Sequence, residues 1–321
     1  IKGSYTFYQD GIKIFEQDNL LTKFGKRFLT NYLAGTLGFN TKSIAVGIGT
    51  STPTVDDTRL DFEFYQSPVD ISSPDINTDP ITGITTYSVI YKTSIPNDVA
   101  GIIREVGLFP SQSTSKNDYS NRYISSFENV LPWTDNLGNN PTLVTSPWPR
   151  LGSYLFQITA PAVTSPNTYS QKDYSFNTDF DLSGYSIYDS LTIAFRQNDT
   201  NLDYIYIRFY SGESDYFETR INGESSITEP NKIGNKTLAE LFSSSYKSGS
   251  PDSSSINKIL VGVKSKTIAG TTVYMDGLKI NDEDSFDPIY GLISRAVLNA
   301  PGINKVSGKQ IDIEYKLGIN F

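Results

Sequence analysis

Two absences and one abundance set the chemistry open to this chain. Its 321 residues include no His and no Cys. The usual general base near neutral pH, the commonest zinc ligand and all thiol reactions are therefore missing. Ser-His-Asp and Cys-His catalysis are excluded with them. The abundance is aromatic, with 21 Tyr, 18 Phe and 2 Trp. Trp133, Trp148, Tyr185, Tyr188, Tyr204, Tyr206, Tyr210 and Tyr216 crowd the middle of the chain. Sugar sites need flat aromatic faces flanked by hydrogen-bonding groups, and Tyr204, Tyr206 and Trp148 are the candidates for glycan binding. Strand aromatics also serve as core or as cross-strand pairs, and that structural reading stands beside the binding one. Alternation along a strand puts Ile205, Ile207 and Phe209 on one face and Tyr204, Tyr206 and Arg208 on the other. The Ile face suits a core, which leaves the Tyr face for solvent. Paired carboxylates cleave glycosides without His, but nothing fixes which Asp or Glu would pair. No catalytic residue is assigned, and the chain is read as a non-enzyme.

Other motifs carry less. Gly47-Ile48-Gly49 lacks the third glycine of a dinucleotide fingerprint and any following Gly-Lys-Ser/Thr, so it reads as a turn. Arg104-Glu105, inside an apolar run, reads either as a buried or subunit-contact pair or as two charges on opposite faces of a strand. The formal net charge is −8, the wrong sign for coating nucleic acid. Residues 122–286 hold 19 acidic and 13 basic groups, a net of −6, and the rest of the chain 16 and 14, a net of −2. No stretch reaches the length of a membrane-spanning helix. The N-terminus shows no signal-peptide pattern, and Ile1 in place of Met leaves room for a trimmed leader.

The elements that must position these residues are mostly short strands. Tyr5–Phe15 alternates around Asp10-Gly11, a hairpin signal. Leu21, Phe24, Phe28, Tyr32 and Leu33 recur at helical spacing, with Asn19 as N-cap and Gly35 as stop. Gly25 inside that helix costs helicity, so packing must hold it. Ser43–Gly49, Ile84–Ser94 and Gly101–Phe109 read as strands, the last one buried. Thr52–Thr58 reads as a loop, and the stretch from Ser67 to Asp79 as exposed. Beyond a polar linker at Ser111–Asn121, period-two patterning marks Leu191–Phe195, Tyr204–Tyr210 and Tyr216–Ile221, followed by Ile256–Val263 and Thr271–Ile280. Thr237–Tyr246 reads as a short helix and Asn281–Asp284 as an acidic linker. Ile289–Leu298 reads as the strand that continues from Gly101–Phe109. Gln310–Phe321 alternates as a half-buried antiparallel strand.

The outer segments resemble a small domain of tailed-phage virion proteins. The matching blocks run in order as Leu33-Ala34-Gly35, Ile44–Thr50, Pro53-Thr54, Asp57-Thr58, Ile103–Phe109, Leu292–Leu298 and Lys305, closing on the final strand. The segment between resembles a jelly-roll of the carbohydrate-binding-module type at Phe127-Glu128, Phe180–Tyr185 and Thr272–Ile280. That second resemblance implies a structural Ca2+ near the meeting of first and last strands, where Glu128 and Asp276 match. Calcium wants several oxygens, which carboxylates and backbone carbonyls supply. The plain alternative is a solvated Glu128 and an Asp276 that caps a turn before Gly277.

The expected fold is mainly β. A β-sandwich anchor domain with one short helix, residues 1–112 plus 288–321, is interrupted by an inserted jelly-roll β-sandwich, residues 122–287. The expected function is that of a virion structural protein in the capsid, neck or tail, docking through the split domain and displaying the jelly-roll outward toward host-surface glycans. Its partners would be other virion proteins and further copies of itself in a homo-oligomer, with no nucleic acid and no membrane insertion. Its location would be the virion, assembled in the host cytoplasm. The alternative is a soluble polysaccharide-binding protein or an accessory module of a glycan-degrading enzyme.

Overall fold

The computed structural model describes residues 2–34, 42–72, 74–110, 123–146, 151–164, 170–226, 231–281 and 291–320. The protein is mainly β, with antiparallel sheets and two short helices among the described residues. It divides into two compact units, Ile1–Tyr119 with Ser285–Phe321, and Ser120–Asp284. The expected linkers and the domain limits near 112, 122 and 287 fall outside the described residues, apart from Asn281, which ends a strand.

The first unit begins with the hairpin that Asp10-Gly11 demands. Both turn residues take positive φ, 52° and 75°, the geometry whose twist matches that of paired strands. Strand Lys2–Gln9 pairs on its other side with Ile311–Asn320, which pairs in turn with Thr85–Ile95. Ile311, Ile313 and Tyr315 alternate inward as the sequence implies. A second sheet runs Leu20–Leu21, Ser294–Val297, Glu105–Phe109, Ser43–Gly47, Glu63–Pro68. Tyr5 joins the sheets, its hydroxyl 2.7 Å from Ser294 Oγ and its ring 4.6 Å from that of Tyr315. The region 67–79 is largely exposed but not structureless, since Asp70–Ile71 and Asp75–Thr78 pair with Thr85–Ile95.

Three local expectations are corrected. Helix Lys23–Leu33 starts four residues after Asn19. Leu20–Leu21 forms a strand against Ser294 and Arg295, so the cap falls to Thr22, whose Oγ1 accepts from Gly25 N at 2.9 Å. Asn19 instead donates to the Tyr315 hydroxyl at 3.0 Å, and Gly35 lies outside the described residues. Gly25 earns its helical cost because a Cβ there would strike the Ile293 carbonyl. The Gly101–Phe109 run is two strands, Gly101–Ile103 and Glu105–Phe109, in different sheets. Arg104 breaks it by donating its backbone N to Gly47 O and its Nε to Leu298 O. The expected Ile289–Leu298 strand is shortened to Ser294–Val297, which pairs with Glu105–Phe109, Leu108 opposite Ser294. Ile289 and Tyr290 lie outside the described residues.

Glu105 does not pair with Arg104. It is fully buried and meets Arg295 Nη2 at 2.8 Å, while accepting N–H bonds from Gly49, Asp61 and Phe62. Arg295 also reaches Asp57 at 2.8 Å and Asp61 at 2.9 Å. A side chain at Gly47 or Gly49 would collide with the Glu105 carboxylate, so the Gly-Ile-Gly turn is the wall of an ion cluster.

The second unit is a jelly-roll. With its eight main strands numbered from Leu155–Ala160 to Thr271–Asn281, one sheet has the order 1-8-3-6 and the other 2-7-4-5, the arrangement of two interleaved Greek keys. The first of these sheets is extended by Thr142–Val144 and Tyr123–Ser125. Apolar residues of both sheets fill the space between them, including Ile193, Ile205, Val261 and Met275. Trp133 belongs here too, fully enclosed beside Phe127, Phe156 and Phe176. The short helix spans Leu238–Phe242, less than expected, and Thr237 with Glu240 forms its capping box.

Candidate functional site

The four-stranded sheet of the second unit has the order Gln171–Phe180, Ile256–Ser265, Leu202–Tyr210, Tyr216–Asn222. Its inner face is the core, as alternation requires: Ile205, Ile207 and Phe209 are wholly buried against Val261 and Val263. The outer face follows from the register as four rows. Gln171, Lys264, Tyr204 and Asn222 form the first. Asp173, Gly262, Tyr206 and Arg220 form the second, and Ser175, Leu260, Arg208 and Glu218 the third. Asn177, Lys258, Tyr210 and Tyr216 complete it.

The floor of this face is closely packed. Tyr206 is only 3% exposed. Its ring lies over Gly262, where a Cβ would collide with it, and its hydroxyl donates to Asp173 Oδ2 at 2.7 Å. Burial, then the neighbouring Asp173 charge, raises the Tyr206 hydroxyl pKa far above the ordinary tyrosine value. Glu218 is 1% exposed and takes Arg208 Nε on one oxygen and Arg220 Nε on the other, both at 2.6 Å. Charge-assisted contacts of this length fix both guanidinium planes. Burial works against the Arg208 charge, but Glu218 and Tyr210 outweigh it and raise its pKa.

Cations cover the rings. Arg208 lies 5.0 Å from the Tyr206 centroid and 4.7 Å from that of Tyr216, and Arg220 4.3 Å from Tyr204 and 3.6 Å from Tyr246. Lys258 stands 4.0 Å over Tyr210 and Lys264 5.3 Å over Tyr204. Tyr246 is 46% exposed at the margin. The surface is thus an interleaved lattice of phenols and cations, able to offer many hydrogen bonds and fixed positive charge to a ligand laid across it.

Alternation put Tyr204 and Tyr206 on this face correctly, but the face is not left open to solvent. Tyr206 is floor, covered by Arg208, and Tyr204 is partly covered by Arg220 and Lys264. Trp148 lies outside the described residues. Arg220, Glu218, Tyr246, Lys258 and Lys264 were not singled out by sequence. The signal was there in part, since Tyr216-Glu218-Arg220 and Lys258-Leu260-Gly262-Lys264 each alternate. The register that joins them to Tyr204 does not exist within any one strand.

Glu128 and Asp276 converge on one turn from two sides. Glu128 accepts N–H bonds from Ser153 at 2.9 Å and Tyr154 at 3.1 Å, and Asp276 accepts Leu151 N at 3.2 Å. Asp276 sits within strand Thr271–Asn281 and caps no turn before Gly277. The described side chains supply two carboxylates where calcium takes 6 to 8 oxygens, and both are turned to backbone donors. No group of three potential metal ligands forms among the described residues. The pair acts as two clamps on the 151–154 turn. No described helix is long and apolar enough to cross a membrane.

No protein-family model matches the chain, and no curated protein matches it. Among solved structures it is similar to the family 11 carbohydrate-binding module from Clostridium thermocellum in complex with a beta-1,3-1,4-mixed-linked tetrasaccharide, at 15% identity and a TM-score of 0.37 over 50% of this chain and 95% of that one. A second is TmCBM61 in complex with beta-1,4-galactotriose, at 9% identity and 0.32 over 50% and 99%. A third is the agarase AgWH50C, at 11% identity and 0.35 over 51% of this chain and 26% of that one. These neighbours are two carbohydrate-binding modules and an agarase. At such scores the likeness carries no inference about this chain, whose site rests on its own geometry.

Proposed function

We propose that the second unit is a glycan-binding module and that its site is the outer face of the four-stranded sheet. The observation that carries this reading is the four-row lattice. Tyr204, Tyr216 and Tyr246 lie among Arg208, Arg220, Lys258 and Lys264, partly open to solvent, over a floor in which Glu218 holds the two arginines and Asp173 and Gly262 hold Tyr206. A flat array of phenol edges and fixed donors suits hydroxyl-rich chains, which offer many acceptors along their length. The module binds and does not cleave.

Affinity electrophoresis of the full chain in gels loaded with a polysaccharide panel tests the reading. Tyr204→Ala and Tyr246→Ala are expected to weaken retardation by about tenfold, as loss of a side chain that seats Arg220 and carries a hydroxyl at the surface costs, while far-UV circular dichroism is unchanged. Retardation by no polysaccharide, or by the wild type and both variants alike, would overturn it.

For the first unit the proposal is an anchor that carries the module. The sequence blocks supporting the virion reading include Gly47, Gly49, Asp57, Glu105 and Arg295, which meet in one ion cluster. Mass spectrometry of purified particles tests that reading; particles without the chain would leave a free-standing glycan-binding protein.

A further inference from the structure

We infer that the ligand is an anionic polysaccharide, one bearing carboxylate or sulfate groups at regular intervals; this rests on the glycan-binding reading above. The register places one cation in each row: Lys264, Arg220, Arg208 and Lys258 in order. Alternate residues of a strand stand roughly 7 Å apart, so these charges form a ladder running along the strands. Three acids stand beside these four cations, Glu218, Asp173 and Asp203, the last 4.0 Å from Lys264, so the cations are in excess by one. Glu218 is buried beneath the two arginines, and Asp173 accepts the Tyr206 hydroxyl. The arginines and lysines cover ring faces that a neutral sugar would stack on, which turns recognition from stacking to charge-assisted hydrogen bonding.

The segment 122–286 carries a net of −6, so its general field repels polyanions and a positive ladder must act locally. Single-stranded nucleic acid is the other regularly charged polymer. It gains affinity by stacking bases on open aromatic rings, and here those rings are already capped by cations.

The test uses the full chain in EDTA with four probes: polygalacturonate, dextran sulfate, neutral dextran and an oligothymidylate. Affinity is read by titration at low salt and at about 0.5 M NaCl, where exposed charges are screened beyond roughly 4 Å. Binding of polygalacturonate, dextran sulfate or both at least about tenfold tighter than dextran, weakening with salt, is expected. Which of the two binds identifies carboxylate or sulfate as the source of charge. Lys258→Gln with Lys264→Gln, both at the surface, is expected to remove most of that preference with the melting temperature unchanged. Equal or tighter salt-independent binding of dextran would overturn the anionic ligand and leave the glycan site standing. Tightest binding of oligothymidylate would overturn it in favour of nucleic acid. Binding of neither polygalacturonate nor dextran sulfate would overturn the anionic ligand, and the wider polysaccharide panel above decides the glycan reading separately.

Discussion

Single side chains in this protein are used as clamps, and each clamp makes a measurable demand. Asp135 accepts Lys172 Nζ at 2.6 Å and the backbone N–H groups of Leu137 and Asn139. Lys172 first, then those donors, hold its carboxyl well below the usual carboxylate range. A depressed acid stabilises the fold above its unfolded pKa of about 4 and loses that contribution as pH falls toward the folded value. Asp135→Asn is therefore expected to lower the melting temperature at pH 7 and to flatten its decline between pH 5 and 3; an unaltered decline would remove Asp135 from that role. Glu105 is the deeper case. It is fully buried with four donors on its two oxygens. Glu105→Gln turns an amide NH2 toward some of those donors and leaves buried N–H groups without an acceptor, while Arg295 keeps Asp57 and Asp61, at an expected cost of about 1–3 kcal/mol. Calorimetric unfolding of the first unit checks this, and a loss under 1 kcal/mol would contradict it. The sequence showed the Arg104-Glu105 pair of charges but not its resolution, because the true partner lies 190 residues away.

Period two within a strand was enough to divide Ile205, Ile207 and Phe209 from Tyr204, Tyr206 and Arg208, since that division is local. What the alternation could not supply was register, which assembles the face from four strands and brings Lys264, Arg220, Arg208 and Lys258 into line. The same limit explains the helix start: Asn19 is a sound cap in isolation, and pairing of Leu20–Leu21 with Ser294–Arg295 moves the start to Thr22. It also explains Arg104, where competition between two sheets breaks a run that reads as one strand. Gly262 gives this scale its test. Gly262→Ala puts a methyl into the Tyr206 ring, with an overpacking cost of about 1–3 kcal/mol. Displacing that floor is expected to weaken polysaccharide binding about tenfold even at temperatures where the variant is fully folded. Wild-type affinity in a destabilised variant would show that the floor does not set the site.

At the scale of the whole chain, the first unit is completed from both ends of the sequence. Strand Ile311–Asn320 lies between Lys2–Gln9 and Thr85–Ile95, and Ser294–Val297 pairs beside Glu105–Phe109. The chain thus leaves and re-enters this unit on adjacent strands, the placement at which inserted segments are tolerated. Replacing Gln112–Asp287 by a short Gly/Ser linker is expected to leave one cooperative unfolding transition, read by circular dichroism; a remnant without one would mean that the first unit depends on the second. The second unit carries the binding reading, and hydroxyl-radical footprinting of the full chain, with and without a retained polysaccharide, maps that reading directly. Protection is expected at Tyr204, Tyr216, Tyr246, Lys258 and Lys264 and not in the first unit. Protection confined to the first unit, or to the 183–189 turn with its exposed Tyr188, would contradict the assignment of the sheet face as the site.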